Sequence, residues 1–431
     1  MSENWMGRHL ELQLGNPGHG GFVIARHEGR VVFVRHGLPG ERVTAVVTED
    51  RGGSFCRADA IEIRDESPER VTPVCPISGP GGAGCCDFSH ASLRAQREMK
   101  SQVVSEQLAR LARVRKTVDV EELPGTGDGT GWRNRVRLVV DEEGHPGYHV
   151  YRSSGIVTDL ACPQIKSGAY DGVAEQDWNP GSEVQIAVDG AGERHIVEIA
   201  PPKVSKTGRT NPGRRGTMAR RTARGAPRTE RVVRGSGRPV ERVGDREWSL
   251  AATGFWQAHR GAAETYSEVV AEWAEISQGD VAWDLYGGVG VFAAALADAC
   301  GASGHLDCVE SSRQAVADGK AALADLPQVH FHGVRVERAI STLRTPPRVV
   351  VLDPPRSGAG PGVIDAVTTA GAERIVHVGC DPASFARDIG LYLGQGYRVH
   401  EIRAFDAFPL THHVECLALL VRADQGAHSG Y

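Results

Sequence analysis

The sequence predicts a multidomain chain of mixed α+β and α/β class. It has a small N-terminal β-barrel, a mixed central segment and a C-terminal doubly wound α/β domain. Three observations carry this. Between residues 9 and 63, five short apolar runs are separated by Gly, Pro and Asn turns. From residue 251 onward, apolar strand-like runs alternate with helical periodicity. The chain has 431 residues, of which 40% are apolar. At roughly 100–200 residues per domain that length gives two to four domains, and the apolar content excludes a largely disordered chain.

The barrel comes first, at residues 1–63. Its runs, 11–14, 21–26, 30–34, 42–49 and 56–63, are broken by Gly15-Asn16-Pro17-Gly18, Glu28-Gly29, Leu38-Pro39-Gly40 and Arg51-Gly52-Gly53. Five strands in so short a span suggest closure into a barrel, an architecture that serves oligonucleotide binding or a purely structural role. The central segment, 64–250, opens on a cysteine cluster. A helical stretch follows over 92–114, with Val103, Val104, Leu108 and Leu111 at helical spacing. Strand-like runs then occupy 132–141 and 181–189. Arg133, Arg135 and Arg137 alternate along the first of these, either as an RNA-facing row or as a solvated face. Residues 201–245, rich in Arg, Gly, Thr and Pro, are expected to be a disordered basic insertion. The α/β domain spans 251–424. Its strands are expected at 281–285, 304–309, 349–352 and 374–378. Its helices are expected at 291–299, 312–323, 363–370 and 382–393.

Charge is distributed unevenly. The total is −5, yet residues 203–242 hold 13 Lys and Arg against two acids, a local +11 that leaves −16 for the remainder. Such asymmetry suggests an arm that meets a polyanion. No apolar run reaches the roughly 18 residues of a membrane span, and the first 15 residues carry no apolar core of a secretory leader. Nine cysteines, an odd number, suit a reducing compartment. We therefore expect a cytoplasmic protein with no membrane partner.

Four motifs carry chemistry. Asp284-Leu285-Tyr286-Gly287-Gly288-Val289-Gly290 runs from a strand through a glycine turn into a helix, where Gly288 and Gly290 let backbone approach a ligand. Glu310 ends the next strand and suits a ribose diol. The pattern lacks the pyrophosphate glycine of G-x-G-x-x-G, so S-adenosylmethionine fits better than a dinucleotide. An apolar strand then ends in Asp353-Pro354-Pro355-Arg356, which lacks the aromatic residue that stacks an amine-bearing base. Gly379-Cys380-Asp381-Pro382 places a thiol at a strand end, and Thr411-His412-His413-Val414-Glu415 places a carboxylate before a strand. One cysteine and one carboxylate suit methylation at carbon 5 of uracil. A thiolate adds to carbon 6, carbon 5 becomes nucleophilic, and a base removes its proton.

On these motifs the chain, from Leu12 to Leu420, resembles the bacterial S-adenosylmethionine-dependent RNA uracil-5-methyltransferases. The resemblance implies an N-terminal TRAM (OB-like) barrel, a central domain often bearing an iron–sulfur cluster, and a Rossmann-like methyltransferase domain. Leu38-Pro39-Gly40-Glu41-Arg42-Val43 and Ser67-Pro68-Glu69-Arg70-Val71 resemble the TRAM and exit segments. It implies cofactor contacts from Gln257 (in Phe255-Trp256-Gln257), Tyr286, Glu310 and Asp353, a nucleophile in Cys380 and a base in Glu415. The substrate would be a structured RNA, rRNA or tRNA, and the enzyme a monomer. The family pattern has Cys where this chain has Gly287 and Asn where it has Val291, and a polar cofactor contact near 333–337 falls on Arg335.

The resemblance also implies a 4Fe-4S cluster on three close cysteines and one distant cysteine. Cys75, Cys85, Cys86 and Cys162 are the candidates. The usual C-x-x-C pair is replaced here by Cys85-Cys86, with Ala83 at the expected partner position. Adjacent ligands need a bent backbone, which the glycines at 79, 81, 82 and 84 permit. Zinc on four thiolates and a metal-free site are the alternatives. For the whole chain, the alternatives to uridine methylation are an RNA-binding homologue with impaired catalysis, or a methyltransferase acting on another target such as cytosine.

Overall fold

The computed structural model describes residues 4–201, 228–344 and 346–423. The barrel is a six-stranded sheet: His9–Gln13, Pro17–Gly18, Phe22–His27, Arg30–Arg35, Arg42–Asp50 and Phe55–Asp65. It rolls until the end of the first strand meets the third, where the Gly15 N–H donates to Ile24 O (2.8 Å) and the Ile24 N–H to Asn16 O (2.9 Å). Alternate residues face a shared interior of Leu10, Leu12, Val23, Val32, Val34, Val43 and Ala58, as the period-2 pattern requires. The two segments at the barrel exit are joined by a buried pair. Glu41 accepts N–H groups from Leu38 and Ser67 and is held by the Arg70 guanidinium (2.6 Å).

The expected helix forms as Leu93–Gln107, with Ser92 capping it by accepting the Ala95 N–H, and it ends in a wider turn over Leu108–Ala112. Its buried face carries Lys100, whose ammonium donates to Asp406 (2.5 Å) and to Phe408 O (3.1 Å). A charge so buried is tolerated because it is paired, and removing one partner of such a pair costs about 3–5 kcal/mol. The central sheet runs in the order Ile156–Val157, Pro146–His149, Arg135–Val140, Glu183–Val188, Arg194–Ile199 and Glu230–Arg234.

Two expectations about basic residues are corrected here. Residues 202–227 lie outside the described residues, but the C-terminal part of the 201–245 insertion is ordered. Glu230–Arg234 joins the central sheet and Val240–Val243 pairs with Arg246–Ser249. The arginine row is no free cationic face, because Arg135 is buried against Glu241 (3.0 Å) and Arg137 binds Gln185 and Glu183.

In the C-terminal domain the strand order is Val329–His332, His305–Val309, Val281–Leu285, Val349–Leu352, Arg374–Gly379, Glu415–Arg422 and Tyr397–Asp406. The first five are parallel and Glu415–Arg422 runs antiparallel. An eighth strand, Val120–Glu122, is contributed by the central segment and pairs with Tyr397–Asp406, so the sheet extends beyond the boundary expected at 251. Helices cover both faces, and near-continuous Val, Leu and Ile runs such as Val349–Leu352 are fully buried, as strands enclosed on both sides must be. Successive strands are added outward in opposite directions from Val281–Leu285 and Val349–Leu352, and ligands bind in such sheets at that reversal of strand order.

Candidate active site

At that switch point the carboxyl ends of four strands open into a cavity of about 800 Å³. Gln257, Tyr286, Gly288, Glu310, Asp353, Cys380 and Glu415 all line it, with Phe255, Arg335, Arg356 and His413. Gly290 does not. It caps the helix Val291–Cys300 with φ +80°, and a Cβ there would stand 2.8 Å from Phe331, so its role is to let helix and strand pack closely.

The turn is built by backbone. The Gly287 N–H donates to Val309 O (3.0 Å), the Gly290 N–H to Gly287 O (2.7 Å), and buried Asp284 accepts the Ala293 N–H (3.0 Å). Tyr286 takes φ +62°, a conformation that non-glycine residues seldom adopt. Gly287 stands where the family pattern has Cys, and its space is taken by another sulfur. A Cβ there would lie 2.6 Å from Cys308 Sγ and 2.8 Å from the Asp284 carboxyl. Glu310 is held at the next strand end by the Ser312 and Gly288 N–H groups (2.5 and 3.3 Å). Val291 lines a side cavity of about 60 Å³ shared with Gln257, Tyr266, Tyr286 and Asp353.

Sheet register sets Cys380 and Glu415 side by side. Arg374–Gly379 and Glu415–Arg422 are antiparallel, with Gly379 opposite Cys416. Continuing that register by one residue sets Cys380 opposite Glu415. Residues so placed have Cβ atoms about 5 Å apart. Glu415 is buried and its Oε1 has no hydrogen-bond partner. Burial and the nearby Asp353 push its carboxyl well above the ordinary value, with Arg356 opposing. Burial and Glu415 likewise push the Cys380 thiol up to about 12, again opposed by Arg356. Burial pushes Asp353 up to about 7. Without ligands, this site favours the neutral forms of its acids.

The segment before Glu415 is fixed from outside the domain. Asp87 accepts the His412 N–H (3.0 Å) and its ring Nδ1 lies 2.5 Å from the second carboxylate oxygen. Gln96 accepts the Leu410 N–H (2.7 Å). Sequence reasoning missed several of these groups. Lys100 was detectable as a charge interrupting a helical apolar face. Tyr266, a fully buried tyrosine whose hydroxyl is unpartnered, reads as ordinary core, and Asp87 carried no signal beyond its place after Cys86.

The four cysteines converge. Cys75 and Cys86 are buried, and Cys75, Cys85 and Cys162 all meet the Cys86 thiol, which also accepts from Gln164 Nε2 (3.1 Å). Contact with Cys86 lowers Cys162 to about 6 and draws Cys75 below its ordinary value. The glycines act as expected at 82 and 84, where a Cβ would lie 2.1 Å from Ile77 O and 2.7 Å from the Tyr151 ring. Among the described residues, the set with three ligand atoms mutually within 4.8 Å is Asp189, Glu193 and His195.

Comparison with known proteins agrees with this architecture. A family described as tRNA (Uracil-5-)-methyltransferase matches residues 339–423 and the TRAM domain matches residues 6–60. A protein of Corynebacterium efficiens named an uncharacterized RNA methyltransferase is 39% identical over 426 residues, covering 96% of this chain and 95% of its own length. One of Streptomyces coelicolor, named likewise, is 40% identical over 441 residues, covering 98% and 94%. The crystal structure of Pyrococcus abyssi tRNA (uracil-54, C5)-methyltransferase in complex with S-adenosyl-L-homocysteine superposes with a TM-score of 0.67 at 19% identity, covering 95% of this chain and 99% of that one. Among the described residues no helix is long and apolar enough to cross a membrane. The chain belongs to the TRAM-bearing RNA (uracil-5-)-methyltransferase family and is a transferase.

Proposed function

We propose that the protein methylates carbon 5 of a uridine in rRNA or tRNA, using S-adenosylmethionine, through a covalent bond between Cys380 and carbon 6. One observation carries this reading. A single cavity has a glycine turn and the Glu310 carboxylate at one end, and Cys380 and Glu415, opposite in register, at the other. The cavity suits the cofactor. Gly288 leaves open space above the turn and Glu310 presents a carboxylate to a ribose. Gln257, Tyr286 and Asp353 would complete its hold.

When bound, S-adenosylmethionine supplies an electrophilic methyl group. Cys380, as thiolate, adds to carbon 6. The C5=C6 electron pair moves onto the carbon 4 carbonyl, and carbon 5 is then nucleophilic. Once carbon 5 carries the methyl group, Glu415 takes its proton, the double bond re-forms and the sulfur leaves as thiolate. Arg356, which lowers both Cys380 and Glu415, favours the charged forms the reaction needs. Glu415 Oε1 has no hydrogen-bond partner, which leaves that oxygen available to carbon 5.

The four cysteines would hold a 4Fe-4S cluster. Four converging thiols, two of them lowered toward thiolate, are the donor set such a cluster needs. Its place behind Asp87 suggests that it stiffens the His412–Glu415 segment.

The test uses RNA tritiated at carbon 5 of uridine. Cys380→Ser abolishes tritium release. Glu415→Gln forms the adduct but cannot resolve it, so protein–RNA complexes persist on denaturing gels. Undiminished turnover by Cys380→Ser would overturn the mechanism.

A further inference from the structure

The barrel does more than border the catalytic domain. Its 17–22 turn reaches both catalytic strand ends. His19 Nε2 lies 2.9 Å from Asp381 Oδ2, on the residue that follows Cys380. Gly21, at φ +80°, sits against the pair that secures the base-bearing segment, and a Cβ there would meet Asp87 Oδ2 at 2.4 Å and His412 Nδ1 at 3.0 Å. Between turn and thiol lies a second cavity of about 130 Å³, lined by His19, Gly20, Lys100, Arg356, Cys380 and His412.

We propose that this turn is part of the active site, with His19 a positioning residue that fixes the Cys380 segment through Asp381. A carboxylate next to the nucleophile opposes thiolate formation if it swings toward the sulfur. Here both its oxygens are engaged elsewhere. Oδ1 accepts the Ser384 N–H (2.8 Å), capping the helix Pro382–Gly394, and Oδ2 faces His19. Burial would raise the Asp381 carboxyl, yet the hydrogen bonds from His19 and Ser384 hold it well below the usual range. Asp381 is thus a fixed anion turned toward the barrel and the helix N-terminus. The Gly21 contact seats the same turn on His412, so one barrel element braces the strand ends of both Cys380 and Glu415.

The inference rests on Cys380 forming the carbon 6 adduct, and the experiment separates the two. The full-length protein is mixed with S-adenosylmethionine and RNA transcribed with 5-fluorouridine; once carbon 5 carries both methyl and fluorine it has no proton to lose, so adducts persist. Adduct formation is timed at saturating RNA, alongside RNA affinity and melting temperature. His19→Ala is expected to slow adduct formation 5- to 10-fold with RNA affinity and melting temperature unchanged. His19→Gln, which can still donate to Asp381, should return the rate to within twofold of wild type. In an Asp381→Asn background, His19→Ala should change the rate less than twofold. Should His19→Ala lose the fold, His19→Asn, polar but too short to reach Asp381, should show the same slowing. An unchanged rate in both short variants, or a loss that disappears at saturating RNA, overturns the proposal. If the wild-type protein forms no adduct, the nucleophile reading itself fails and the inference falls with it.

Discussion

Burial pushes the Asp353 carboxyl up to about 7, and it lines the cavity proposed for a sulfonium cation. A cation binds the ionised carboxylate and not the neutral acid, so proton and cofactor compete at this residue. The sign follows directly. Above pH 7 Asp353 is charged and binding is at full strength. Below it, each pH unit protonates the residue further and weakens binding by up to about tenfold. Calorimetry with S-adenosylmethionine between pH 5.5 and 8.5 should show affinity rising with pH and levelling above about 7. Asp353→Asn should bind more weakly at pH 8 and lose most of the slope. A flat wild-type profile would rule out Asp353 as the titrating contact.

The strand–turn–helix element from Val281 to Cys300 shows how a departure from a family pattern is absorbed. With no side chain at 287, the neighbouring strand's Cys308 fills the space. Gly287→Ala should therefore overpack the turn and cost about 1–3 kcal/mol, measured by denaturant unfolding. Combined with Cys308→Ala, part of that cost should be recovered, and strict additivity would show that the two positions do not share the space. This compensation was invisible in the sequence, because residues 287 and 308 meet only across parallel strands paired Asp284 to Cys308. The strands and helices of this domain were legible, since apolar runs alternating with 3.6-residue periodicity leave few other arrangements. So were the strand ends beside Cys380 and at Glu415, since one strand ends at Gly379 and another begins at Glu415. Gly290 was misread for a local reason. Three glycines in one turn look alike in sequence, but only the structure shows that one faces Phe331 and not the cavity. His19 and Asp87 were missed because their partners lie 362 and 325 residues away in the chain.

Across the whole molecule, the basic arm changes meaning once the fold is known. Four arginines between 228 and 242 are already engaged: Arg228 with Glu183, Arg231 with Glu198, Arg238 with Asp318 and Arg242 with Glu247. They join the insertion to the central sheet and to the catalytic domain, so their charge is largely neutralised within the protein. The cations left for a polyanion are Arg234 and the eight between Lys203 and Arg224, the latter a stretch without a single acid. If these meet RNA phosphates, each releases a counterion on binding, and the slope of log affinity against log salt steepens by about 0.7 per contact for single strands. Deleting 203–227 should then weaken RNA binding, flatten the slope by at most about 5 to 6, and leave the melting temperature unchanged. Extending the deletion to 242 removes the strand Glu230–Arg234 and the four ion pairs, so the melting temperature should fall as well. Filter binding over a salt series, paired with thermal unfolding, checks both. A slope unaltered by the short deletion would place the arm away from RNA, and the cationic contacts would then have to come from the barrel and the mouth of the cavity around Arg356.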